Sequence, residues 1–308
     1  MRRATMPLAL LVCIALASAA AAQPDPTNAN TCKQQIWGDI GLPTSATAND
    51  EDHTRVCHMG YITGHNSVRK TPDWVVERLS PDLTKCGADR PGIRFKPDPA
   101  LGDRPKAVPE DYAGGTYVIG HQAPSADFTC AELMMRDTFF LSNAVPQIGN
   151  GFNTGVWSTL ERLVKTLAKQ RDPLFVITGP VYQQRSAVTI KKTADACKNE
   201  IVLKVLDDQT ICPERNANPS AVCNKGVAVP AALYKIIYDP GNGGRVSAYL
   251  LPNVDHMPIK QNVSTQEYLK RYLISVRTIE ELTGYQFLTE LSARKQTQLK
   301  ESCGMMFR

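Results

Sequence analysis

Apolar positions change their period several times along this chain. Runs of strand length stand at Tyr61–Thr63, Trp74–Glu77, Thr116–Ile119, Thr138–Ser142, Leu174–Thr178, Leu233–Tyr238 and Val246–Leu251. Most combine β-branched or aromatic residues with flanking Gly, Pro, Asn or Asp, which marks short strands. From about Gly155 to Lys169 the period turns helical. Val156, Leu160, Leu163, Val164 and Leu167 share a face there, while Glu161, Arg162 and Lys165 lie elsewhere. A second long helix is predicted over 264–282, closed by Gly284. Gly87–Ala113 is rich in Pro, Asp and Gly and reads as a long surface loop. Strands and helices do not alternate regularly. The expected fold is therefore α+β, a mainly antiparallel sheet flanked by helices, rather than a doubly wound sheet.

The amino terminus changes the picture. Arg2 and Arg3 precede an apolar run, Pro7–Ala17, and an Ala-rich stretch ending Ala20-Ala21-Ala22. This reads as a secretory signal peptide over residues 1–22. The run falls short of the roughly 20 residues that span a bilayer. Cys13 follows Val12 rather than a small residue, which argues against lipidation. The chain is expected in a periplasm or outside the cell, with no membrane contact after cleavage. Residues 23–55 are polar and form an expected lead-in, and 56–308 an expected single domain.

Nine cysteines are present, and removing Cys13 leaves eight: Cys32, Cys57, Cys86, Cys130, Cys197, Cys212, Cys223 and Cys303. An even number in an exported chain implies disulfides, with Cys212 and Cys223 placed to close a local loop. A zinc site is disfavoured, since there is no C-x-x-C and no ligand spacing among the histidines. Of the 308 residues, 43% are hydrophobic and 21% charged, and the formal net charge is +5. That composition suits a globular domain and permits a phosphate-rich partner without demanding one.

Five histidines are present: His53, His58, His65, His121 and His256. His121 stands out because it ends a predicted strand, follows Gly120 and precedes the sharp exit Gln122-Ala123-Pro124. Polar residues gather at the neighbouring element ends: Asn143 after TFFLS, Asn153 ahead of the helix, and Glu161 eight residues further on. Taken singly, the two asparagines suit ordinary turns and Glu161 a solvated helix face.

Together these blocks resemble the DNA/RNA non-specific endonucleases of the ββα-metal superfamily. GHQAPSAD (120–127) is similar to the family's histidine block. TFFLSNAVPQ (138–147) is similar to its second strand and asparagine turn, and FNTGVWSTLE (152–161) to its metal-asparagine and helix block. VITGPVY, YKIIYD, AYLLPN and ISVRTIEELTGYQF extend the likeness, which runs from about Cys57 to Phe287.

The resemblance implies a ββα-metal catalytic motif and hydrolysis of phosphodiester bonds in DNA and RNA without sequence specificity. His121 would be the general base, since a neutral imidazole accepts a proton near neutral pH. Asn153 would be a ligand of one Mg2+, with Mn2+ as a substitute, because a hard cation takes oxygen donors and keeps water. Eight residues of helix rise roughly 12 Å. Asn153 must then sit ahead of the helix, with Glu161 completing the metal site through a water, and Asn143 would help position the site.

The family's usual Asp-Arg before Gly-His is replaced here by Val118-Ile119. Either the enzyme is then slow or another cation neutralises phosphate charge, with Arg94 and Lys165 foremost and Arg136 and Arg162 behind them. The missing pair leaves a rival reading open, a catalytically weak relative that mainly binds nucleic acid. A phosphodiesterase for small substrates is a third. A homodimer and a dedicated inhibitor are both compatible with the sequence.

Overall fold

The computed structural model describes residues 40–48, 51–87, 92–113, 117–182, 188–190, 201–203, 210–211, 226–256 and 265–304. The chain opens with β1 (His53–Cys57), β2 (Tyr61–Asn66), β3 (Thr71–Leu79) and a one-turn helix α1 (Pro81–Thr84). A hairpin follows, β4 (Tyr117–His121) and β5 (Ala144–Ile148), with α2 (Glu132–Asp137) between its strands. An irregular helical segment, Gly149–Trp157, leads into α3 (Ser158–Ala168). Next come β6 (Leu174–Val181), short β7 (Val188–Ile190), β8 (Ile201–Leu203), β9 (Thr210–Ile211) and β10 (Val227–Ala228), then β11 (Ala232–Asp239) and β12 (Arg245–Pro252). The end is α4 (Thr265–Lys270), β13 (Leu273–Ile274), α5 (Val276–Thr283) and α6 (Ala293–Glu301).

Seven strands form one antiparallel sheet in the order β1-β2-β3-β6-β11-β12-β13. Successive side chains of a strand point to opposite faces, so each inner strand feeds two cores. Trp74 and Val76, Tyr234 and Ile236, and Ala248 and Leu250 pack against Ile40 and against Val276, Ile279 and Leu299 of α5 and α6. Val75 and Leu79, Leu233 and Ile237, and Tyr249 and Leu251 pack on the other face against Trp157, Leu160, Val164 and Leu167 of the α3 region. The apolar stripe predicted over 155–169 is the stripe that α3 buries.

Three local expectations are corrected. Thr138–Ser142 is a tight turn, not a strand. Phe139 and Leu141 are buried within it, and the strand begins at Ala144. The long helix over 264–282 is two helices. Leu273 and Ile274 instead pair with Tyr249 and Ala248 along the open edge of β12. Ser275 then restarts the helix by accepting a hydrogen bond from Thr278 N at 3.1 Å. Gly284 does close α5, in the left-handed region at φ 73°. The stretch 87–113 is no loose surface loop. It holds two short 3-10 turns, Pro99–Leu101 and Pro109–Tyr112, and buries Asp98, Leu101, Asp111 and Tyr112.

Within the expected lead-in, Ile40 is buried, Thr44 pairs with Gln286, and β1 already starts at His53. Cys86 is bonded to Cys130, and Cys57 and Cys303 are also in disulfides. Cys32, Cys197, Cys212 and Cys223, with residues 1–22, lie outside the described residues. Among the described residues no helix is long and apolar enough to cross a membrane.

Candidate active site

The hairpin β4–β5 places His121. Its register sets Gly120 against Val145 and His121 against Ala144. Gly120 is needed here, because any Cβ would collide with the buried side chain of Gln147. The imidazole lies between two rings. Phe95 packs at 4.6 Å between centroids, tilted 48°, and Phe139 at 5.0 Å, edge-on at 87°. Two aromatic walls leave the ring little freedom.

Asn143 secures the turn that follows. Its Nδ2 donates to Ala123 O at 2.9 Å and Thr138 O at 2.8 Å, and its Oδ1 accepts from Ala123 N at 2.9 Å. Gln122 N also donates to Asn143 O at 2.9 Å. The Asn143 side chain is fully buried. Its amide is therefore committed to backbone. These bonds tie the turn after His121 to the turn at Thr138.

Asn153 sits half-buried in the segment ahead of α3, where the chain leaves helical geometry at Asn150, Gly151 and Gly155. That segment packs on both β4 and β5. Gly151, at φ +76°, lies so close to Asp255 and the His256 backbone that a Cβ would collide. Asn253 pins the segment's root. Its Oδ1 accepts from Ile148 N at 2.9 Å while its Nδ2 donates to Pro146 O and Pro230 O. Asn153 precedes α3, and Glu161 lies within it.

Glu161, half-buried on α3, faces a polar island in the apolar core. Glu77 of β3, Asp127 and Lys235 of β11 are each about 1% exposed. Both oxygens of Glu77 and Oδ1 of Asp127 have no hydrogen-bond partner among the described residues. Burial pushes the Glu161 carboxyl up from 4.5 to about 7, against the pull of Lys235, with Asp127 adding to the rise. Burial likewise raises Asp127 to about 6, opposed by Lys235 and Lys165. Glu77 is held well above its ordinary range, first by burial and then by Asp127. Three carboxyl groups thus share one buried ammonium.

Arg94 is exposed on the segment next to Phe95, the ring that touches His121. Asp98 anchors that segment by accepting from Ala100 N at 2.9 Å and from the Ser142 hydroxyl, and it pairs with His58 at 2.9 Å. Lys165 lies half-buried one turn beyond Glu161. Val118 points outward at 39% exposure, while Ile119 packs against the small cluster around Tyr112 and Leu141. Glu77, Asp127 and Lys235 escaped the sequence reading. For Glu77 and Lys235 the only trace was a charged residue within an otherwise apolar strand, as in WVVERL and YKIIYD, and Asp127 lies in the short turn Ser125–Phe128.

Among the described residues no group of three or more His, Cys, Asp or Glu side chains could hold a metal ion. An ion here would rest on few protein oxygens and mostly on water. The donor set fits a hard divalent cation on those terms. Asn153 and Glu161 offer oxygen donors of the kind a hard cation takes, with the buried carboxyl groups of Glu77 and Asp127 close to Glu161. Two antiparallel strands, an irregular asparagine-bearing turn and a helix carrying an acid make up a ββα unit.

A sequence profile of the DNA/RNA non-specific endonucleases matches residues 42–294, and the chain belongs to that family. It is 27% identical over 261 residues to the mitochondrial nuclease EXOG of Xenopus laevis, covering 83% of this chain and 63% of that protein. It is 29% identical over 247 residues to the mitochondrial nuclease of Saccharomyces cerevisiae, covering 78% and 67%. Human endonuclease G, also named mitochondrial, is 27% identical over 223 residues, covering 72% and 65%. The chain therefore spans about two thirds of the length of these relatives. The crystal structure of an EndoG/EndoGI complex shares the fold, with a TM-score of 0.65 and 24% identity, over 89% of this chain and 96% of that one.

These names overturn the expected secreted or periplasmic location and point to mitochondria. A physical reason is visible in the leader. Residues 1–22 carry two arginines, many alanines and no acid, features that mitochondrial transit peptides also have.

Proposed function

We propose that this chain hydrolyses internal phosphodiester bonds of DNA and RNA without sequence preference, with His121 taking the proton from the attacking water. The observation that carries the reading is the ββα unit itself. His121 ends its first strand, Asn153 lies on its irregular turn and Glu161 on its helix, above a buried surplus of carboxyl groups. Phe95 and Phe139 keep the imidazole in one plane, and Asn143 fixes the turn after it. Asn153 and Glu161 would hold the divalent ion, Mg2+ foremost. When bound, that ion supplies neutralisation of the charge gathering on the scissile phosphate.

Arg94 and Lys165 are proposed to supplement that charge in place of the family's Arg, one from the segment against His121 and one from the helix beside Glu161. Contacts made to phosphates carry no sequence information, which accounts for the lack of preference. The location supported by the relatives' names is mitochondrial.

The test is cleavage of supercoiled plasmid and of single-stranded RNA, in Mg2+ and in EDTA. Metal-dependent cutting of both supports the proposal. Binding without cutting favours the rival nucleic-acid binder, for which the specific observation is the outward Val118 where the family carries a charge. Cutting of small diesters that polymeric DNA does not inhibit favours the small-substrate reading.

A further inference from the structure

Three adjacent strands each place a polar side chain in the face that otherwise forms the apolar core under α3: Glu77 in β3, Thr178 in β6 and Lys235 in β11. Lys235 has Leu233 and Ile237 as its same-face neighbours, both fully buried. Core packing alone gives no reason for an ammonium there, since burying one costs several kcal/mol that an aliphatic side chain would avoid.

The neighbouring carboxyl groups of Glu77, Asp127 and Glu161 give one reason, and the direct contacts of the ammonium give another. Lys235 Nζ donates to Thr178 Oγ1 at 2.6 Å, directly across the register. It reaches Gln122 O at 3.5 Å and lies 5.1 Å from the centre of the Trp157 ring. Gln122 is the residue after His121. Trp157 closes the irregular segment that carries Asn153 and stands one turn ahead of Glu161. An ammonium has three donors and no preferred plane. It can therefore face a hydroxyl, a carbonyl and a ring at once.

We propose that Lys235 is a positioning residue for the reaction. From the middle of the sheet it fixes the spacing between the turn that carries His121 and the segment that carries Asn153 and Glu161. The proposal rests on the nuclease reading above. Thr178 aims the ammonium, and Gln122 and Trp157 are the two parts it holds.

The test compares Lys235→Met, Lys235→Arg and Thr178→Val in the full chain. Folding is followed by circular dichroism and thermal melting. Plasmid cleavage gives kcat and KM, and the NMR resonance of the His121 ring is read without metal. A misplacement of about 1 Å at a reacting group lowers rate by roughly 100-fold. Lys235→Met is expected to lose about that much in kcat with KM for plasmid within about threefold, and to shift the His121 resonance but not that of His53. Lys235→Arg should regain part of kcat, and Thr178→Val should fall between parent and Lys235→Met. A folded Lys235→Met with kcat within about threefold of the parent overturns the proposal. So does a loss that equals the lost folded fraction with the His121 resonance unmoved. If Lys235→Met does not fold, Thr178→Val decides: parental kcat and resonance overturn, a lower kcat with a shifted resonance supports. A parent chain without cleavage would refute the nuclease reading, while the resonance would still report on Lys235.

Discussion

Glu161→Gln keeps the side chain's shape and removes its charge, so it isolates what burying that carboxylate does to the fold. In the metal-free chain burial holds Glu161 at about 7, against an ordinary value of 4.5. Between those values the unfolded chain has released its proton while the folded chain keeps it. The contribution of Glu161 to stability is therefore full below 4.5 and is lost as pH rises through 7. At 1.36 kcal/mol per pH unit, the gap is worth about 3 kcal/mol when complete. One edge of Glu161 faces solvent, which brings the expected effect to about 2 kcal/mol between pH 5 and pH 8. Gln does not titrate, whereas Asp127 and Glu77 titrate in both chains. Urea unfolding in EDTA, followed by tryptophan fluorescence at several pH values, reads the difference. The stability of Glu161→Gln relative to the parent should rise by about 2 kcal/mol from pH 5 to pH 8. Parallel stability curves for the two chains would show that the carboxylate is not destabilised by its surroundings.

His121→Ala should abolish cleavage and leave DNA binding within about twofold in a filter or anisotropy assay, since a base acts on the water rather than on affinity. Asn153→Ala should raise the Mg2+ concentration needed for half-maximal cutting more than Glu161→Gln does, because a direct ligand loses a metal–oxygen bond; the reverse order would make Glu161 the primary ligand. Asn143→Ala removes three hydrogen bonds in a fully buried site and should lower unfolding free energy by about 3 kcal/mol, read by urea titration. Joint Cys86→Ser and Cys130→Ser substitution opens a loop with a sequence separation of 44. It should lower the unfolding free energy by about 2–4 kcal/mol under non-reducing conditions.

The first strand of the hairpin, the place of Asn153 ahead of a helix and the helix itself were legible because each has a local signature. Gly120-His121 ends an apolar run, Asn153 precedes a 3.6-residue period, and that period buries the face it predicts. What stayed hidden depends on partners far away in sequence. Leu273 and Ile274 satisfy a helical pattern as well as a strand pattern, and only the open edge of β12 decides between them. Phe139 and Leu141 are apolar in a turn because Phe139 packs against His121 and Leu141 fills the small core near Tyr112. The charged residues Glu77 and Lys235 each look like a solvated position within their own strand. Their burial appears only when β3, β6 and β11 are laid side by side under α3. Export was misjudged for a different reason, since a basic, acid-free leader is written in much the same alphabet for two destinations.

Ile40, near the start of the described chain, and Leu299, near its end, belong to the core on the face of the sheet away from α3. Glu280 and Lys300, both about 2% exposed and paired at 2.8 Å, clamp the last helix to α5 on that side. The candidate site and the first and last described parts of the chain therefore occupy opposite faces of one sheet. Immobilisation through Arg294, exposed on the last helix, should for that reason preserve access to plasmid-sized substrates, whereas anchoring through Lys165 or Arg94 would turn the candidate site toward the support.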